Sequence, residues 1–158
     1  MKTILIKEQS EIENIINACD YCVLTLNGAD GFPYAIPMNF SYHNNRILLH
    51  SAPFGSHIEN IQRDNRVTVM FCTKGEIVYQ HIHVACSYRM RAQSVVCQGR
   101  VHFIENETEK MDLMNSFMHK YTNNSFKYSK PAIQNVKVWL VEIENITAKA
   151  FAVPHGKK

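Results

Sequence analysis

Apolar positions along the chain change period several times, and each change marks an element. Ile12, Ile15, Ile16 and Cys19 recur at helical spacing. In front of them Ser10-Glu11-Ile12-Glu13 reads as a capping box, which predicts a helix to about Ala18. Residues 21–26 predict a strand, and Asn27-Gly28-Ala29-Asp30-Gly31 carries the strongest turn chemistry in the chain. The next strand, 32–40, contains Pro33 and Pro37. Each lacks an N–H donor, so the strand belongs at a sheet edge or is interrupted. Asn44-Asn45 predicts a tight hairpin into a strand ending at His50.

Residues 47–65 organise the rest. A short apolar strand turns through Pro53 and Gly55 and reopens as an amphipathic helix with Ile58 and Ile61 on one face. The first N–H groups of a helix lack backbone partners, and its dipole is positive there. Ser56, His57 and the nearby amides are therefore candidates to hold a phosphate, although a serine there also serves as a plain helix cap. His50 and Ser51 sit beside that turn.

Farther along, 66–73 alternates Val67, Val69 and Phe71 with Thr68, Met70 and Cys72, apolar on both sides, as an interior strand would be. After Lys74-Gly75-Glu76, Ile77, Val78 and Tyr79 predict a strand or loop. Residues 88–104 form one long β-rich run broken at Gly99 by a bulge or bend. Asn106-Glu107-Thr108-Glu109 opens a second capped helix, in which Met111, Met114, Met118 and Tyr121 predict a core-packing stripe. The polar segment 122–135 predicts a surface loop with one short helical turn, the candidate lid. Residues 136–143, around Trp139, read as a buried strand and 146–153 as a weaker closing one. The fold class that follows is mainly β with peripheral helices (α+β). Six antiparallel strands form a Greek-key barrel in one domain, 1–158.

Composition changes this picture little. A formal charge of +3 is scattered rather than gathered in a basic stripe, so nothing indicates nucleic acid. No apolar run approaches the roughly 20 residues of a membrane span, and no signal segment opens the chain, so no membrane is expected and the location expected is cytoplasmic. Five cysteines, an odd count, suit reduced thiols. Cys19 and Cys22 form a C-x-x-C that closes a helix and opens a strand, the reverse of the order that activates a thiol, so they read as small buried hydrophobes. His81 and His83 would share a strand face and, with Cys86, make half a metal or haem site that no further ligand completes. No metal is expected. Arg89 and Arg91 share a face, either as a positive pair near a phosphate or as solvated charges.

Four stretches together resemble a known family. They are Pro33-Tyr-x-x-Pro-Met-Asn-Phe40, Leu48-Leu-His-Ser-Ala-x-x-Gly55, Ser94-Val-Val-x-x-Gly-Arg-Val101 and the Val-Trp-Leu-Val-Glu-Ile-Glu around Trp139. In order and spacing they are similar to the pyridoxamine-phosphate-oxidase-like, flavin-binding split barrels, and within these to the Nim branch of 5-nitroimidazole resistance proteins. The resemblance implies a homodimer with flavin at the subunit interface, FMN being usual and FAD the alternative. It implies that Pro37, Met38 and Asn39 face the flavin ring and that His50, Ser51 and Ala52 line the ring and ribityl chain. Gln93 and Ser94 would come from a neighbouring strand. Trp139 either stacks near the flavin or simply fills the barrel, and is buried in both cases. His50 matches the histidine that Nim proteins place beside the flavin, which makes it the candidate catalytic residue. The family commonly has a lysine two residues after the glycine matched by Gly55, where this chain has His57. The activity implied is reduction of a small nitroaromatic acceptor. The alternatives are a flavin-storage or sensing protein, pyridoxamine-phosphate oxidation, for which the basic substrate cluster is missing, and a haem-binding split barrel.

Overall fold

The computed structural model describes residues 1–155. In chain order it contains β1 (Lys2–Ile6), α1 (Gln9–Asn17), β2 (Cys22–Asn27), β3 (Pro33–Met38), β4 (Ser41–His43), β5 (Arg46–Ser51) and α2 (Ser56–Arg63). There follow β6 (Arg66–Cys72), β7 (Glu76–Val78), β8 (Arg89–Ile104), α3 (Glu107–His119), α4 (Lys130–Gln134) and β9 (Lys137–Val153). All strand pairs are antiparallel and run in the order β3-β2-β6-β8-β9-β5-β4, with β1 added to β9 and β7 to β8. The protein is thus mostly antiparallel β-sheet with four helices, an α+β fold, and among the described residues it has nine strands where six were expected.

Two of the additional strands were invisible to periodicity. β1 has four of its five residues exposed, so it shows no alternation; only Ile6 is buried, and the strand is held by pairing with the far end of β9. β4 is three residues long. Conversely, the two terminal strands expected at 136–143 and 146–153 are one strand, because Glu144 is absorbed as a bulge. Gln98 pairs with Asn145 while Gly99 pairs with Ile143. Gly99 is therefore the break expected in β8. The proline argument also holds: β3 pairs only with β2, and Pro33 and Pro37, at the same parity, leave their missing donors on one side. Asn44 and Asn45 turn the β4–β5 hairpin with φ of 49° and 59°, a left-handed geometry asparagine tolerates.

Helix α1 corrects the capping box. Its N-cap is Glu8, extended at φ −71° and ψ 120° with no side-chain cap, and Ser10 lies inside the helix, where its hydroxyl cannot serve the first turn. Glu13 accepts from Gln9 Nε2 at 3.0 Å instead. The Asn106 cap of α3 is formed, its side chain accepting from Glu109 N at 3.0 Å.

The main core gathers Ile12, Ile16, Leu24, Ile58, Val69 and Trp139 from three sides. A second, smaller cluster of Leu48, Met114, Phe117 and Val138 lies under α3. Of the expected α3 stripe only Met114 is fully buried. Phe117 takes the other inward place, and Tyr121 stays 38% exposed while its hydroxyl works on the backbone. That hydroxyl accepts from Phe40 N (2.9 Å) and faces the carbonyls of Phe40 (2.8 Å) and Asp20 (3.0 Å), clasping the β3–β4 junction. Tyr121→Phe should cost about 1–3 kcal/mol by urea unfolding, because the part-buried Phe40 amide loses its partner. A change below ~0.5 kcal/mol would show that the clasp contributes nothing. No helix among the described residues is long and apolar enough to cross a membrane.

Candidate functional site

Strand parity divides the residues at the end of β5. Ile47 and Leu49 belong to the main core, whereas Leu48 belongs to the cluster under α3, so side chains alternate between two buried layers. His50 follows Leu48. Its ring meets Phe117 edge-on at 4.7 Å, and its Nδ1 is buried without a hydrogen-bond partner. Burial lowers the His50 pKa, so near neutral pH the ring is an uncharged imidazole. Ser51 belongs to the other layer, so the two residues expected to line one ring project to opposite faces of β5.

On that second face a compact network forms. Ser51 Oγ donates to Ala52 O at 2.6 Å and lies 3.1 Å from His57 Nε2. The His57 ring stacks on Trp139 (5.6 Å between centroids, 22° between planes), and Phe103, the cross-strand partner of Trp139, meets the indole edge-on at 6.1 Å. Trp139 is fully buried, and its Nε1–H has no partner.

The chain enters α2 through Gly55 at φ 117°, where a Cβ would stand 3.0 Å from the His57 ring. Only glycine combines that backbone with that approach. Gly55 O receives the N–H of Ile58 and of Glu59, and the helix has no side-chain cap, so the amides of Ser56 and His57 remain to meet a ligand. An exposed serine hydroxyl, two free amides and an imidazole anchored through Ser51 suit a phosphate-bearing group such as the tail of a flavin. The residues present fit that group although His57 stands where a lysine was expected.

The remaining expected residues lie elsewhere. Pro37 and Met38 end edge strand β3 and Asn39 follows it; Met38 O accepts from Cys22 Sγ at 3.5 Å, and Asn39 Nδ2 reaches Asp20 O at 3.5 Å. Arg91 and Gln93 line a groove of about 400 Å³ with Thr73, Lys74 and Phe151. There Arg91 pairs with Glu76 at 3.3 Å, Gln93 N donates to Thr73 Oγ1 at 2.9 Å, and Ser94 is buried beside them. His50 stands opposite Val138, which pairs with Ile104 at the other end of β8 from Gln93. Within one chain, roughly 35 Å of strand contour separates the two ends.

Three other expectations resolve. His81 and His83 do not share a strand face: they sit in an exposed turn between β7 and β8, pinned by a Ser87 Oγ bond to His81 O at 2.9 Å. Among the described residues no cluster of His, Cys, Asp and Glu could hold a metal. Cys19 and Cys22 are buried and free; burial raises both thiol pKa values, that of Cys22 to about 12, so neither is a ready thiolate. Sequence reasoning did not assign Tyr121 a backbone role, and no periodicity could have done so.

His50 also makes a stability prediction. An unfolded histidine takes up a proton near pH 6.5, and the folded one takes it up only at lower pH. Between those values the unfolded chain binds more protons, so stability falls as pH drops below about 7 and levels only once the folded ring is protonated as well. His50→Gln should flatten the dependence of the urea midpoint on pH over that window; an unchanged slope would remove His50 as its source.

Comparison with known proteins adds three findings. The sequence model of the pyridoxamine 5'-phosphate oxidase family matches residues 9–150. A solved protein of Bacteroides thetaiotaomicron, described as a candidate 5-nitroimidazole antibiotic resistance protein, superposes with a TM-score of 0.87 at 44% identity, covering 94% of this chain and 87% of that one. The flavocytochrome Anf3 of Azotobacter vinelandii (TM-score 0.84, 16% identity, 98% and 72% covered) shares the fold. So does an FAD and haem binding protein of Mycobacterium smegmatis (0.84, 12%, 97% and 76%). No curated protein sequence matches the chain.

Proposed function

The chain belongs to the pyridoxamine 5'-phosphate oxidase family, and on that premise we propose that it is a flavin-dependent oxidoreductase acting on small nitroaromatic acceptors such as 5-nitroimidazoles. The observation that carries the flavin reading is the start of α2, where Gly55, two unpaired amides, Ser56 and the Ser51-anchored His57 offer one phosphate its partners. The acceptor class is supported by the 44% identity to the candidate nitroimidazole resistance protein. The fold is read as a split barrel with helices outside it.

Two copies of the chain are part of the proposal. The outer sheet face presents Val23, Thr25, Thr68, Met70 and Val96, uncharged and all at least partly exposed. The centre of this face is uncharged, with Arg66 and Arg100 at its border, which suits contact with a second copy. Pairing two copies would let Arg91, Gln93 and Ser94 of one complete the cofactor site built by β5 and α2 of the other.

A bound flavin supplies the electrons. His50, as a neutral imidazole, offers a hydrogen-bond donor at one ring nitrogen and a proton acceptor at the other, and Phe117 fixes the plane of its ring. The apolar cluster under α3 excludes water from its buried Nδ1. His50→Ala should leave flavin bound and slow reoxidation of the reduced protein by a nitroimidazole about 100-fold in anaerobic stopped flow. Loss of flavin would make His50 a binding residue instead. A storage or sensing protein is the second reading. It predicts that the wild-type reduced flavin does not reoxidise quickly with any nitroimidazole.

A further inference from the structure

Between the β4–β5 hairpin and the C-terminal half of α3 lie two joined depressions of about 380 and 110 Å³, both lined by Ser41, His43 and Ser116. Strand register fixes which hairpin side chains face them. Ser41 stands opposite Leu48 and His43 opposite Arg46, and directly opposed residues of antiparallel strands share a face. Leu48 packs in the cluster under α3, so all four look toward that helix. Leu113, Ser116 and Lys120 answer from α3 at positions i, i+3 and i+7, hence from one helix face.

The walls carry cations without carboxylates. Lys120, His43 and Arg46 line the groove, and no aspartate or glutamate does. Lys120 Nζ donates to Asn17 O at 3.1 Å and sits 4.1 Å from the centre of the ring of fully buried Phe40, which holds the ammonium at the end of the groove that Asn17 lines. An ammonium has three N–H donors, so donors remain for a ligand. Burial lowers the Lys120 pKa, and Asp20 is near enough to offset part of this yet forms no ion pair with it. Arg46 likewise has no ion pair among the described residues. The other acids nearby are engaged: Glu142, across from Arg46, meets His102 at 3.5 Å, and Glu13 accepts from Gln9 at 3.0 Å and from Tyr42 at 3.4 Å.

The smaller depression is apolar on one side, where Leu48, Leu113 and Leu140 line it. Between those leucines and Lys120 stand the hydroxyl residues Ser41 and Ser116, common to both depressions. A fixed ammonium at one end, hydroxyls in the middle and leucines at the other describe an amphiphilic anion, and a single held cation matches a single charge. We propose that this groove is a second small-molecule site, taking a small organic carboxylate whose charge meets Lys120 and whose apolar body lies on Leu48, Leu113 and Leu140. Arg46 and His43, exposed at the rim, add attraction for the anion as it approaches. The site shares no residue with the start of α2 and does not rest on the flavin reading.

Calorimetric titration of the full-length protein with phenylacetate tests this, with phenethylamine as a cationic ligand of similar size. Phenylacetate should bind and phenethylamine should not. Lys120→Met, which keeps most of the apolar stem, should weaken phenylacetate about 10-fold, the worth of one charged hydrogen bond. Ser116→Asp, at an exposed position on the helix wall, should weaken it by a similar factor through repulsion, and it supplies the answer if Lys120→Met fails to fold. Saturating FMN should leave the phenylacetate affinity unchanged. Absence of phenylacetate binding, equal binding of the amine, or an affinity indifferent to Ser116→Asp would overturn the site. Displacement of phenylacetate by FMN would place the anion at the start of α2 and overturn it as well.

Discussion

Trp139→Ala should lower the unfolding free energy by about 3–5 kcal/mol, a large share of the 5–15 kcal/mol typical of a domain. The indole is fully buried and contacts both Phe103 and His57, so truncation removes transfer energy and opens a cavity in the main core. The effect should extend to ligand binding, since His57 loses the surface that holds its ring parallel while keeping only the Ser51 contact. Because this is the sole tryptophan, unfolding has to be followed by circular dichroism. Trp139→Phe, which keeps an aromatic surface, should recover part of both losses. A loss under ~1 kcal/mol for the alanine variant would mean that the core closes over the gap and that the stacking is incidental.

Gly99→Ala should be nearly as damaging, about 3 kcal/mol, although it adds one methyl group. A Cβ there would lie 2.0 Å from Glu142 O, 2.9 Å from Glu142 C and 3.1 Å from Ile143 Cα, all backbone of the adjoining strand. No side chain can swing away, so β8 and β9 would have to separate at the bulge. Gly31 is the control. Its φ of 86° disfavours alanine, but nothing lies within 4 Å of the added carbon, so Gly31→Ala should cost only about 1–2 kcal/mol. Equal losses for the two variants in thermal unfolding would attribute the Gly99 effect to backbone preference rather than to the close approach.

Much of this architecture was legible because it rests on backbone chemistry that residue type reveals. Two prolines at the same parity marked β3 as an edge, adjacent asparagines marked a left-handed turn, and a lone glycine in a β-rich run marked the bulge. Features that depend on partners distant in sequence were not legible. β1 is a strand only because β9 has a free edge, and the joining of 136–143 to 146–153 depends on β8 accommodating the extra Glu144. The capping box failed for a local reason: the signature needs Ser10 as the N-cap, and the N-cap is Glu8, two residues earlier. At the candidate site the residue types were readable and their orientation was not. Both faces of β5 are buried, so an unbroken apolar run could not tell that His50 looks toward α3 while Ser51 looks toward Trp139.

The paired strands β8 and β9 also act as a spacer of fixed length. One end carries Gln93 beside Ala150, and the other carries Ile104 beside Val138 and, through β5, His50. Adding a residue anywhere along this span would reverse which side chains point inward from that point to the end. The tolerant place is the bulge, where an odd residue is already accommodated. Changes in length should therefore be survivable at positions 143–145 and ruinous a few residues to either side, so the distance between the two recognition ends is set by count rather than by contact.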